Sequence, residues 1–282
     1  GTETMSMIPM GGNKIVPNIR LAHEFPQAYM SMGQTAENVA MRYGISREEQ
    51  DQFAFESQNR AVAALERGEF KEQITPLRTF KYDGAGNKVE FVFDTDECPR
   101  ASTLEALAKL KPAFANPKSG KENHGTVTAG NSSQMSDGAA AVMLMEAGKA
   151  KALGLKPIAK MHGFATAGLH PDEMGIGPAL AVPKLMERFG KPLGITLADI
   201  DCMELNEAFA SQSLYCIRGF EKEGLTRDRI NPNGGAIALG HPLGCTGSKL
   251  TTQLLYWLRD HKKRWGIVTM CKIGRASCRE RV

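Results

Sequence analysis

The sequence predicts an α/β fold in which helices cover a largely buried sheet, and three features predict it. Short apolar runs such as Cys202–Leu205 and Gly266–Cys271 are strand-length. Segments between them space their apolar residues three and four apart, as amphipathic helices do. Strand and helix patterns also alternate along the second half, which implies layers around a mostly buried sheet.

Taken in order, Met5 to Tyr29 reads as a long surface loop punctuated by Pro9, Pro17, Pro26 and a Gly11-Gly12 turn. Thr35 is placed to cap a short helix ending before Gly44. Ser46 with Glu49 forms a capping box for a longer helix closed by Gly68. Ile74 to Phe80 and Val89 to Phe93 flank the turn Asp83-Gly84-Ala85-Gly86 and predict a hairpin. Ser102 with Glu105 predicts another short helix. Residues 10 to about 120 thus read as an α+β insertion with much loop. A short strand at Thr126–Thr128 then enters a Gly/Ser turn, followed by a small-residue helix and a strand over Val142–Met145. Such a turn can offer N–H groups and hydroxyls to an anionic or carbonyl ligand. It can equally be a packing turn.

The second unit begins near Lys156-Pro157, with a strand at Ile158–Phe164. A helix led by Pro178 follows, with Leu180, Leu185, Met186 and Phe189 inward and Gly190 as its stop. Thr196 and Asp199 make a capped turn, and Cys202–Leu205 is a strand running directly into a helix from Asn206 to about Glu223. A helix over Ser248–Arg264 puts Leu250, Leu254, Trp257 and Leu258 on one face, with Lys262, Lys263 and Arg264 in its last turn. The strand Gly266–Cys271 ends in a thiol.

Composition excludes several classes. The net charge of +4 is small for 282 residues, and no basic run with interleaved aromatics suggests nucleic acid. No apolar run reaches the roughly 18–20 residues of a membrane span. The first residues lack the basic and apolar segments of a signal peptide, and Gly1 stands where an initiator Met would be expected. Six scattered cysteines without a CxxC pair read as free thiols in a reducing, cytoplasmic setting or an organelle matrix. No metal-binding spacing is present.

The chemistry gathers at strand ends, where α/β sheets present reactive groups. Asn206 follows one strand, Cys271 ends another, and His241 sits between Gly240 and Pro242 in the glycine-rich stretch Asn231–Lys249. An amide, an imidazole and a thiol together suit acyl transfer: the first two can hold an oxyanion, and the thiol can carry a proton or attack. The alternatives are an N-cap for Asn206, a small buried hydrophobe for Cys271 and a solvated turn for His241. His23, His124, His162, His170 and His261 lack comparable surroundings.

These segments resemble the thiolase family. The resemblance is carried by NEAFA at 206–210, NPNGGAIALGHPLGCTGSK at 231–249 and the strand ending Thr269-Met270-Cys271. The opening GTETMSM, TAENVA at 35–40 and TVTAGNSSQMSDGAAAVML at 126–144 also match, so it covers nearly all of residues 1 to 271. It implies a layered α-β-α-β-α fold, with an incomplete N-terminal domain over 1–148 that includes the loop domain, and a C-terminal domain over 149–271. It also implies cleavage of a beta-ketoacyl-CoA by CoA to acetyl-CoA and a shortened acyl-CoA. Coenzyme A is then a substrate, with no bound cofactor, and the intact protein is a homodimer or homotetramer. By the resemblance His241 activates the nucleophile and lines the oxyanion hole, Asn206 holds a water there, and Cys271 is the acid/base at the acetyl α-carbon. Ser133, Ala129, Ala208 and Phe209 lie near the CoA pantetheine, and Met32 belongs to the acyl pocket. Ser31 stands where some biosynthetic members carry a histidine, which favours the degradative branch over biosynthetic acetoacetyl-CoA thiolase. Beta-ketoacyl synthases of the same superfamily, with a Cys-His-His set, and non-catalytic acyl-CoA or lipid-binding relatives are the other readings.

Two departures qualify the resemblance. The family's acylated cysteine lies upstream of GTETMSM, and neither Cys98 nor any other cysteine here stands in a matching motif. The chain as it stands is therefore expected to lack turnover. Beyond Cys271 the family has a glycine-rich loop, whereas residues 272–282 carry Lys272, Arg275, Arg279 and Arg281. That tail resembles translated read-through of a sequencing adapter, and the expectation is a gene clipped at both ends.

Overall fold

The computed structural model describes residues 1–8, 12, 14–114 and 125–271. His124, the tail 272–282 and part of the Pro9–Gly12 turn lie outside them.

In chain order the elements begin with β1 (Thr2–Thr4), α1 (Ile19–Glu24), α2 (Met32–Arg42), α3 (Arg47–Glu66), β2 (Leu77–Tyr82), β3 (Lys88–Phe93), α4 (Leu104–Ala108), β4 (Asp137–Ala139) and α5 (Ala147–Ala152). They continue with α6 (Gly177–Leu185), α7 (Lys191–Leu193), β5 (Cys202–Leu205), α8 (Ala210–Lys222), α9 (Ala236–Leu239), α10 (Thr246–Asp260) and β6 (Gly266–Thr269). Among the described residues, β1 pairs with β4 and β2 with β3, both antiparallel, while β5 pairs with β6 in parallel. A parallel pair needs a long crossover, and α8, α9 and α10 all lie within it.

The main core is built on that crossover. Met203 and Leu205 of β5 and Ile267 of β6 pack with Ile217 and Phe220 of α8, Ile237 of α9, and Leu225 and Ile230 from the connection. Ile230 also bridges Met203 from the side opposite β6, so β5 is flanked by backbone on both sides. Phe53 and Ala54 bring α3 onto the same core, although α3 belongs to the first half of the chain. None of these helices is both long and apolar enough to cross a membrane.

Several local expectations hold. Ser46 accepts from the Glu49 N–H while the Glu49 carboxylate accepts from the Ser46 N–H. The hairpin forms with its turn at Asp83–Asn87, whose Asp83 carboxylate accepts from the Ala85 and Asn87 N–H groups. Other expectations are corrected. Ser31, not Thr35, caps α2, and Thr35 lies one turn inside, donating to the Met32 carbonyl. Thr103, not Ser102, caps α4. The supposed loop before Tyr29 contains α1 and a 3-10 turn over Pro26–Tyr29. The helix from Gly177 passes Gly190 through a wide turn and stops at Gly194; Gly177, Pro178, Val182 and Gly190 are buried, and Leu180 is exposed. α10 ends at Asp260, so Lys262–Arg264 lie beyond it.

The largest correction concerns Val142–Met145 and Ile158–Phe164. Neither forms a strand, no small-residue helix follows Ser133, and Met143, Leu144, Ile158 and Phe164 are exposed. A strand is held by its neighbour's hydrogen bonds, and no described segment pairs with these two. Both segments carry apolar residues, but among the described residues neither finds a pairing partner.

Candidate active site

β5 delivers the first functional group. Its last residue, Leu205, is in register with Thr269 of β6, and the next N–H, that of Asn206, donates to the Thr269 carbonyl at 2.9 Å. The helix after Asn206 does not begin until Ala210, whose cap residue Phe209 is extended. Asn206 is therefore no N-cap. Its side chain is fully buried, and its Nδ2 lies 3.3 Å from His241 Nε2. Among the described residues its Oδ1 has no hydrogen-bond partner.

His241 is placed by backbone and by one hydroxyl. Gly240 precedes it at φ 81°, in the region that favours glycine. The His241 N–H donates to the Gln134 carbonyl at 3.2 Å, and its Nδ1 lies 2.6 Å from Thr246 Oγ1. That hydroxyl donates its own proton to the Pro242 carbonyl at 2.9 Å, so it accepts from the imidazole. The proton is thereby fixed on Nδ1, and Nε2 becomes the acceptor nitrogen facing Asn206.

The loop carrying His241 is tied down by a buried carboxylate. Glu207 accepts from Ser57 Oγ at 2.6 Å, Asn231 Nδ2 at 2.7 Å and the Ile237 N–H at 3.3 Å. A Cβ on Gly235 would stand 2.2 Å from the Glu207 carboxyl carbon, so the loop can close on that carboxylate only with glycine there. Burial pushes the Glu207 pKa up, opposed by these hydrogen bonds.

β6 ends at Thr269, short of the predicted strand end; Cys271 lies two residues beyond it and is buried. Gln212 of α8 brackets its sulfur: Nε2 donates to Sγ at 3.0 Å, and the thiol reaches Oε1 at 3.3 Å. Burial pushes the Cys271 thiol up to about 11, with the Gln212 hydrogen bond pulling the other way. At neutral pH it holds its proton and can donate it.

Among the other predicted residues, Ala208, Phe209 and Met32 lie with Cys271. Ala208, Phe209 and Cys271 share an apolar cluster with Ala36, Val127 and Met174, and Met32 and Phe114 pack against it. The Phe114 and Phe209 rings meet edge to face. Ser133 donates its N–H to the Ala208 carbonyl at 2.9 Å, and Ala210 donates to Asn131, so residues 131–133 run antiparallel to 208–210. Ala129 is exposed on the turn beside buried Thr128. Sequence reasoning missed Gln212, Thr246 and Glu207. Only Thr246 left a signal, a hydroxyl five residues after the histidine at the start of a helix.

The comparisons with known proteins bear on this geometry. The thiolase N-terminal domain model matches residues 1–148 and the thiolase C-terminal domain model matches residues 155–279. The 3-ketoacyl-CoA thiolase of Bacillus subtilis is 49% identical over 276 residues, covering 96% of this chain and 67% of that protein. The peroxisomal 3-ketoacyl-CoA thiolase A of Mus musculus is 46% identical, covering 96% of this chain and 61% of that protein. The crystal structure of the Bacillus anthracis acetyl-CoA acetyltransferase superposes with a TM-score of 0.78 at 39% identity, covering 96% of this chain and 67% of that one. The dimeric peroxisomal thiolase of Saccharomyces cerevisiae gives 0.78 at 37%, covering 96% and 64%. The chain thus spans roughly 60–67% of the length of these relatives. Both domain models, the identities and the superpositions agree: the chain belongs to the thiolase family.

Proposed function

We propose that the protein is an acyltransferase that cleaves a 3-ketoacyl-CoA with CoA, and that Asn206, His241 and Cys271 form the part of its site carried by these residues. The observation that carries this reading is the contact between Asn206 and His241 Nε2, with the protonated thiol of Cys271 just past the end of the neighbouring strand.

In the first step a cysteine thiolate attacks the 3-keto carbon, and His241 Nε2 accepts the thiol proton. The bond between C2 and C3 then breaks, its electron pair passing into the acetyl-CoA enolate. The Cys271 thiol protonates that carbon and releases acetyl-CoA. In the second step CoA attacks the acyl thioester, the proton returns through the same groups, and the shortened acyl-CoA leaves. A thiolate replaces a thiolate, so the exchange is near-balanced. Asn206 Oδ1 suits a water that donates towards the thioester oxygen. The acylated cysteine matches none of the six in this chain, and we assign it to a segment outside residues 1–282.

Met32, Phe114, Phe209 and Met174 offer an apolar wall for the acyl chain, and Ser133 with Ala208 and Phe209 is the proposed pantetheine contact. The degradative reading is favoured by Ser31, whose side chain is committed to capping α2, and by the names of the B. subtilis and mouse relatives. A dimer or tetramer in the cytoplasm or an organelle matrix belongs to the same proposal.

Thiolysis of acetoacetyl-CoA and of longer 3-ketoacyl-CoA by the whole gene product tests it. Cleavage that falls by about 10³-fold in His241→Ala and Cys271→Ala supports the reading. Absence of cleavage, or unchanged rates in both variants, overturns it.

A further inference from the structure

A buried cation is expensive unless its environment uses it, and Lys249 of α10 is such a cation. The residue is half-buried, and desolvation of its ammonium drives its pKa down, while Asp96, Cys245, Cys98 and Glu204 act in the opposite direction. Among the described residues no carboxylate forms an ion pair with it. Its Nζ donates instead to two backbone carbonyls, Leu239 O at 3.0 Å and Gly240 O at 3.3 Å. These are the last residue of α9 and the glycine that follows, where a helix leaves its carbonyls without partners. The next residue is His241. The same α10 supplies Thr246, which fixes the imidazole proton, so this helix holds the histidine from two sides: at the ring and at the peptide from which the ring hangs.

We propose that Lys249 is a positioning residue for His241: by capping the Leu239 and Gly240 carbonyls it fixes the peptide that aims the imidazole at Asn206. Its catalytic meaning rests on the acyltransferase reading above; the positioning itself does not. Lys249 touches no reacting atom. Glu204 of β5, two residues before Asn206, is felt by it electrostatically.

The test is ¹⁵N NMR of the His241 ring in the 282-residue chain, comparing wild type with Lys249→Met and Lys249→Arg. In wild type the ring nitrogens show one tautomer, protonated at Nδ1. The Met variant, folded by circular dichroism, is expected to show averaged ring shifts, and the Arg variant to restore the wild-type pattern. A folded Met variant with wild-type ring shifts overturns the proposal. If the Met variant does not fold, wild type is titrated upward in pH while the Lys249 Nζ and His241 ring signals are followed. Movement of the ring signals with the amine midpoint supports the proposal, and a ring that stays fixed while the amine titrates, or an amine that holds its proton until the chain unfolds, overturns it. In the whole gene product the Met variant is expected to lose about 10- to 100-fold in kcat with little change in KM, again restored by Arg. Failure of thiolysis altogether sinks the acyltransferase reading and leaves the ring shifts to decide on Lys249. Intact thiolysis with unaltered ring shifts in the variant sinks the positioning role alone.

Discussion

Thr246 and Gln212 set the protonation of the two groups on which the chemistry depends. Thr246→Val removes the acceptor of the Nδ1 proton while keeping the shape of the side chain. It is expected to lower kcat of the whole gene product by about 10-fold or more, with Thr246→Ser restoring most of it; equal kinetics for Val and Ser variants would contradict the assignment. Gln212 lowers a thiol pKa that burial has raised, so Gln212→Leu moves Cys271 above about 11. The alkylation rate of Cys271 at a fixed alkaline pH then falls, which mass spectrometry of the modified peptide measures. Asn206, His241 and Cys271 were legible in the sequence because each sits at a strand end or in a glycine loop where few structural roles need that residue type. Gln212 and Glu207 were not, because a buried polar residue is distinguished only by the partners it meets, and Cys271 lies 59 residues from Gln212 and Ser57 150 residues from Glu207.

At the scale of elements, β5 with the connection to α8 is the part on which the rest is built. Leu205 is fully buried between α8, α9 and β6, and Leu205→Ala is expected to destabilise by about 2–5 kcal/mol. Phe164→Ser, at a position 71% exposed, is expected to shift stability by less than about 0.5 kcal/mol. Chemical denaturation of the 282-residue chain separates them. Comparable losses would mean that Ile158–Phe164 is packed after all. The contrast explains which elements the sequence could show. Caps and hairpins such as Ser46–Glu49 and Asp83–Asn87 are closed by residues within a few positions of each other. Val142–Met145 and Ile158–Phe164 carry strand composition, but a strand also requires a distant partner, which no local pattern encodes.

For the whole molecule, the buried carboxylate of Glu204 links stability to pH. Burial, then the nearby Glu207 charge, push its pKa up to about 8. The folded state therefore binds a proton more readily than the unfolded chain between the ordinary carboxylate pKa and about 8. Its contribution is complete at acid pH and is lost as pH rises through that window. Unfolding free energy is expected to fall from pH 5 to pH 8, and Glu204→Gln to flatten the slope; an equally steep slope in the variant would contradict this. Met143, Leu144, Ile158, Met161 and Phe164 leave apolar surface exposed along one stretch of chain, so the 282-residue chain is expected to self-associate, as light scattering against concentration would show. Asn206 and His241 are proposed to act as one unit on a thioester, and a double-mutant cycle on kcat/KM for 3-ketoacyl-CoA thiolysis decides it, using Asn206→Ala, His241→Ala and both together in the whole gene product. The double variant is expected to be barely slower than His241→Ala alone; losses that simply add would show two independent groups.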